Sequence, residues 1–181
     1  MKQLVTALAL ALVLAVVTGG ATASVALAAS AAKGGYGAAA TAICRSEHSK
    51  LPAPPDSTGG PAASLRQLRA AVAFSRGYQV IVTDLSARLA RLTPPAAGKS
   101  AAAQVTRALD EIAAAFGVFA REGDAIATTL RDEPSSTFLS AYEPQLAKRT
   151  AIAAAQQRLQ AASARGKAAE RRLGLSCGFF G

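Results

Sequence analysis

The chain has no Trp, one His, two Cys and only 5% aromatic residues among its 181 positions. Each scarcity removes a class of explanation. With His48 as the sole imidazole, the Glu-x-x-His pairs of a bundle di-metal centre cannot be assembled, although Asp110-Glu111 and Asp132-Glu133 supply carboxylates. His48 stands beside Ser46 and Glu47 at a helix end, where a solvated surface residue is expected and no partner nucleophile can be placed. Strand signals are poor, because the one β-branched cluster, Val80-Ile81-Val82, lies inside a helical pattern. Gly98-Lys99-Ser100 resembles the end of a phosphate-binding loop, but Thr93 stands where the first Gly belongs. No strand precedes it either, so it reads as a turn and a helix start. No catalytic residue, cofactor or metal ligand is assigned, and an enzyme is not expected.

What is abundant points to helices. Half of the residues (51%) are hydrophobic, and Ala and Leu carry most of that fraction, which is helix-forming composition. The first apolar run reads as an export signal. Lys2 and the amine form a positive start, Leu4 to Val17 is an unbroken apolar stretch, and Ala21-Thr22-Ala23 supplies a small-residue cleavage site, with cleavage expected between Ala23 and Ser24. Ala29-Ser30-Ala31 is a second such site. The competing reading is a retained anchor, since no charge falls between Lys2 and Lys33; the Gly, Ala, Ser and Thr of its second half favour removal. The domain plan is a signal peptide or anchor at 1–23, a flexible segment at 24–35, and one helical domain at 36–181 with a Pro-rich connection at 51–63.

Export bears on the cysteines. Cys44 and Cys177 are an even pair in an oxidising compartment, and a single disulfide between them is expected. A two-ligand metal site or redox pair would need nearer partners.

The organising segment is Ser100 to Arg131. Its apolar positions Ala102, Val105, Leu109, Ile112, Phe116, Phe119, Gly123, Ile126 and Leu130 step three and four residues, the period of one buried helix face. Other segments match it. A short helix spans about Tyr36 to Lys50, and a longer one Ser64 to Leu92, with Ser64 as N-cap and Leu68, Ala71, Ser75, Tyr78, Val82, Leu85, Leu89 and Leu92 on one stripe. Thr93-Pro94-Pro95 stops that helix, and Ser100 is expected to cap the next. Pro144 is placed in the first turn of a final helix carrying Ile152, Ala155, Leu159, Ala162, Gly166, Ala169 and Leu173, with Gly174 as its stop. The expected fold is all-α, an up-down bundle of three long helices plus a shorter N-terminal one, stapled by the disulfide. Bridged Cα atoms lie within about 7 Å, so the first helix should reach the level of the last helix's end and project past the bundle.

The order of features resembles an uncharacterised group of secreted or lipid-anchored helical proteins of high-GC Gram-positive bacteria. The features are Ala42-Ile43-Cys44-Arg45, the Pro-rich connection, Leu92-Thr93-Pro94-Pro95, Arg121-Glu122-Gly123-Asp124 and the run from Leu173 to Gly178. The resemblance implies a disulfide-tied helical bundle in the cell envelope. This chain lacks the acylatable Cys of the lipoprotein members.

Charge is unequal along the chain. The net charge is +9, or +8 without Lys2. The segment Ser100 to Glu133 holds three Arg against six acids, while the helices on either side are basic, an alternation that disfavours wrong pairings. Spread along the helices, the cations read as a solvated surface, with attachment to an anionic surface or membrane as the functional reading. The two Phe of Gly178-Phe179-Phe180-Gly181 either fold back or form a membrane-facing tip. Two function classes remain: an exported cell-envelope module that binds a partner protein or anionic surface, and a small carrier of an apolar ligand near Phe74, Tyr78, Phe116 and Phe119. Nucleic acid is not expected as a partner.

Overall fold

The computed structural model describes residues 35–55 and 62–180. The expected signal peptide with its Ala23-Ser24 junction, most of the flexible segment, and the middle of the Pro-rich connection lie outside the described residues. Every regular element described is helical: α1 (Tyr36–His48), α2 (Leu65–Ala90), a 3-10 turn (Ala96–Gly98), α3 (Lys99–Thr129), α4 (Phe138–Ala147) and α5 (Thr150–Leu173).

α3 is the central element, packed on α2 along one side and on α5 along another. It runs antiparallel to both. Arg76 of α2 pairs with Asp124, and Ser86 Oγ donates to the carbonyl of Thr106 at 3.3 Å; Arg149 and Arg165 pair with Glu122 and Glu111. Every residue of the expected stripe on α3 is buried except Phe119, which is half-buried. Because α3 faces two neighbours, Ala108, Ala113, Ala115, Gly117, Ala120 and Ala127 are buried as well. Small residues let the axes come close: a Cβ at Gly123 would lie 2.6 Å from Cγ2 of Val72.

Ser64 caps α2 as expected. Its Oγ accepts the N–H of Gln67 at 3.2 Å, and Oε1 of Gln67 reaches back to the N–H of Ala63 at 2.8 Å. Ser100 does not cap α3. The 3-10 turn after Pro95 runs straight into the helix, so α3 opens at Lys99 and Gly98 stands before it in helical conformation with no side-chain cap.

Pro144 also differs from expectation. It lies inside α4, while the final helix starts at Thr150, after Arg149 leaves helical geometry at φ −93° and ψ 73°. The cause is apolar spacing. Phe138, Tyr142 and Leu146 make a separate buried stripe, and they join Leu68, Val72, Ile126, Ala127 and Leu130 in a second core at the far end from the disulfide. Burial there pushes the Tyr142 hydroxyl up to about 12. α4 thus closes one end of the helices, while α1 and the C-terminal tail pack along the side of the other half, where the chain after α1 meets Gly77 through Pro52 and Phe179 meets Tyr78.

Candidate functional site

The disulfide end is where residues distant in sequence converge. α5 stops at Gly174, whose φ of 64° is left-handed and suits a residue without Cβ. The N–H of Gly174 donates to the carbonyl of Arg171 at 3.2 Å, and that of Leu175 to Glu170 at 3.0 Å, reversing the chain. The reversal carries Cys177 to Cys44 of α1, where the disulfide forms with the Cα atoms 4.9 Å apart. Both sulfur-bearing residues are buried.

After the bridge the chain turns inward. Phe179 and Phe180 are buried, so the membrane-facing tip is not formed. Phe180 lies on Gly166 of α5, while the Phe179 ring meets His48 of α1 edge-on at 5.6 Å and Tyr78 of α2 at 6.4 Å. The tail is therefore a wedge touching three helices. Tyr78 in turn stacks on Phe116 at 4.2 Å, and Phe116 contacts Phe74 and Phe119 at 6.3 and 5.7 Å. These aromatic positions form the core of the bundle, and burial pushes the Tyr78 hydroxyl up to about 12.

Two buried carboxylates brace the same end, and they behave in opposite ways. Burial alone would raise Glu47, which is 1% exposed, but hydrogen bonds and charge from Lys50 (2.6 Å) and Arg88 hold it below the usual carboxylate range. Burial dominates at Glu170. Its Oε1 accepts the Cys177 N–H at 3.0 Å, and Lys167 adds attraction, yet desolvation pushes the carboxyl up to about 7. Neither carboxylate was singled out from sequence as a site. Their signal was present in the spacing: Glu47 falls on the stripe of Ala40 and Cys44, and Glu170 directly follows the seam residue Ala169.

Beside the disulfide is an open cleft of about 370 Å³ lined by Thr41, Arg45, His48, Ser49, Ser176, Cys177 and Gly178. Its hydroxyls, guanidinium and imidazole suit a small polar or anionic group. His48 is exposed at the end of α1, as its position indicated.

The other motifs are structural. Asp110-Glu111 and Asp132-Glu133 are separated by most of α3, about 30 Å at 1.5 Å per residue. Glu111 pairs with Arg165, Asp132 with Arg131, and Glu133 accepts from the Thr137 hydroxyl at 2.6 Å. Among the described residues no group of three or more His, Cys, Asp or Glu side chains is arranged to hold a metal ion. No described helix is long and apolar enough to cross a membrane. Comparison with protein-family models, curated proteins and solved structures finds no match to this chain.

Proposed function

We propose that this chain is an exported, non-enzymatic protein of the cell envelope, an up-down helical module that works by presenting its surface to a partner. The disulfide carries the reading. It joins the first helix to the tail across 133 residues, and such a bridge persists in an oxidising compartment and not in a reducing one. The apolar run at 4–17 followed by Ala21-Thr22-Ala23 accounts for how the chain reaches that compartment. Carriage of an apolar ligand is less favoured, because Phe74, Tyr78, Phe116 and Phe119 are packed ring against ring.

The test is intact-mass measurement, without reductant, of the full-length chain expressed in a bacterial host and separated into cytosolic, membrane and exported fractions. The expected species is exported, begins at Ser24 and is two hydrogens lighter than the reduced chain. A reduced chain in the cytosol with Met1 to Ala23 intact overturns the reading. A membrane-bound, oxidised chain that keeps Met1 to Ala23 replaces the cleaved form with the anchored one.

A further inference from the structure

The fold gathers unopposed positive charge at the disulfide end. α2 and α5 finish there, α3 begins there, and α1 lies alongside; the side chain of Leu173 would lie 3.0 Å from a Cβ at Gly98. The cations delivered to this end include Arg45, Arg91, Lys99, Arg171 and Arg172, all exposed and without an ion-pair partner among the described residues. Of the acids nearest this end, Glu47 and Glu170 are both buried, and the exposed Asp84 stands about 10 Å back along α2 from Arg91. The opposite end is mixed. There Arg76 and Arg149 are neutralised by Asp124 and Glu122, and Asp132, Glu133 and Glu143 accompany Arg66, Arg69, Arg121 and Arg131.

Helix stability explains part of this distribution. Arg171 and Arg172 in the last turn of α5, and Arg91 at the end of α2, complement the partial negative charge of helix C-termini. Lys99 has the wrong sign for that purpose. It opens α3, where the helix end is partly positive and a cation is unfavourable, and α3 has no acid in its first turn. The end face is also without large apolar residues at the surface: the exposed ones among the described residues are Val80, midway along α2, and Leu139, in α4. A partner meeting this end would be held by charge and not by insertion.

We propose that the disulfide end is a docking face for anionic phospholipid headgroups. This rests on the exported reading above, which puts the protein beside a membrane surface. A sheet of headgroups fits better than an extended polymer, because the cations come from four helices and crown a whole end of the molecule instead of lining a groove. Helices packed about 8–10 Å apart make an end face roughly 20 Å across, wide enough to meet several headgroups at once. Juxtamembrane cations act additively in free energy within a Debye length, so their effects multiply in affinity and fade with salt.

The test is co-sedimentation of the exported protein with vesicles of phosphatidylcholine alone or with 30% phosphatidylglycerol, at low and at high salt. Wild type is compared with an end-face variant, Arg91→Gln/Lys99→Gln/Arg171→Gln/Arg172→Gln, and a control of equal charge change, Arg66→Gln/Arg69→Gln/Arg121→Gln/Arg131→Gln. Binding is expected only to the anionic vesicles, more than tenfold weaker for the end-face variant, within threefold of wild type for the control, and abolished by high salt. Replacing the same four end-face cations to leave Lys or Arg at each position should retain binding. Equal losses in both Gln variants, equal binding to neutral vesicles, or binding to soluble polyphosphate but to no vesicle would each overturn the proposal. Thermal unfolding checks that the variants are folded. Export and oxidation are read by mass in the separate experiment, so a failure here leaves that reading standing and a failure there is seen independently.

Discussion

The ring of Phe180 occupies the place where a side chain at position 166 would begin: a Cβ built on Gly166 would fall 2.1 Å from its Cε1 atom. The tail therefore depends on a helix position that carries no side chain. In most exposed helix interiors Gly→Ala stabilises by about 1 kcal/mol.

Here the sign reverses. Gly166→Ala is expected to lower stability by about 1–3 kcal/mol, because Phe180 is buried and must be displaced. The double variant Gly166→Ala/Phe180→Ala should lose less than the sum of the single losses, since the clash is gone. Urea unfolding of the four proteins measures this, and simple additivity would refute the direct contact.

Glu170 sets a pH dependence. Its carboxyl is raised to about 7 when folded, against an ordinary value of 4.5. Protonation therefore favours the folded state: the contribution is complete below about pH 4.5 and is lost as pH rises through 7. The loss is on the order of 2–3 kcal/mol between pH 4.5 and 8. Glu170→Gln keeps an acceptor for the Cys177 N–H and removes the titration, so its stability should be nearly flat over that window. Wild type and variant with parallel curves would count against a desolvated Glu170.

The disulfide constrains the unfolded chain over nearly the whole domain. Cys44→Ser/Cys177→Ser is expected to lower stability by about 2–5 kcal/mol, the upper figure being the chain-entropy value for a loop of this size. Thermal melts of wild type with and without reductant, beside the double variant, check it. A variant as stable as the oxidised wild type would mean that packing of Phe179 and Phe180 alone suffices to hold the tail.

Arg88 answers Glu47. Removing it by Arg88→Ala leaves a carboxylate that is 1% exposed with Lys50 as its remaining cation, at an expected cost of about 1–2 kcal/mol near neutral pH. Because the native pair lowers Glu47, the stability it confers is present above pH 4.5 and lost as pH falls below. The variant's deficit should accordingly shrink in acid. Arg88→Ala/Glu47→Gln should recover part of the loss, and a deficit unchanged by pH or by the second substitution would exclude this pair as its cause.

Local periodicity and composition were enough to place helices over most of Tyr36 to Leu173, to identify the buried stripes of α2, α3 and α5, and to pair Cys44 with Cys177. These follow from rules that act within a few residues, such as the 3.6-residue repeat, the Ser64 cap and the Gly174 stop, or from a cysteine count that leaves one pairing. Ser100 and Pro144 were misplaced because each had a legitimate local role that tertiary packing overrode: the 3-10 turn entered α3 without a cap, and the buried stripe of Phe138, Tyr142 and Leu146 made a helix of its own. The direction of the tail, the burial of Glu47 and Glu170, and the gathering of Arg45, Arg91, Lys99, Arg171 and Arg172 at one end were decided only by the fold. In the sequence those cations are spread from position 45 to position 172, and nothing local distinguishes them from a solvated surface. Antiparallel packing of α3 between α2 and α5 brings one end of each helix to the same place, so charges separated along the chain become neighbours in space.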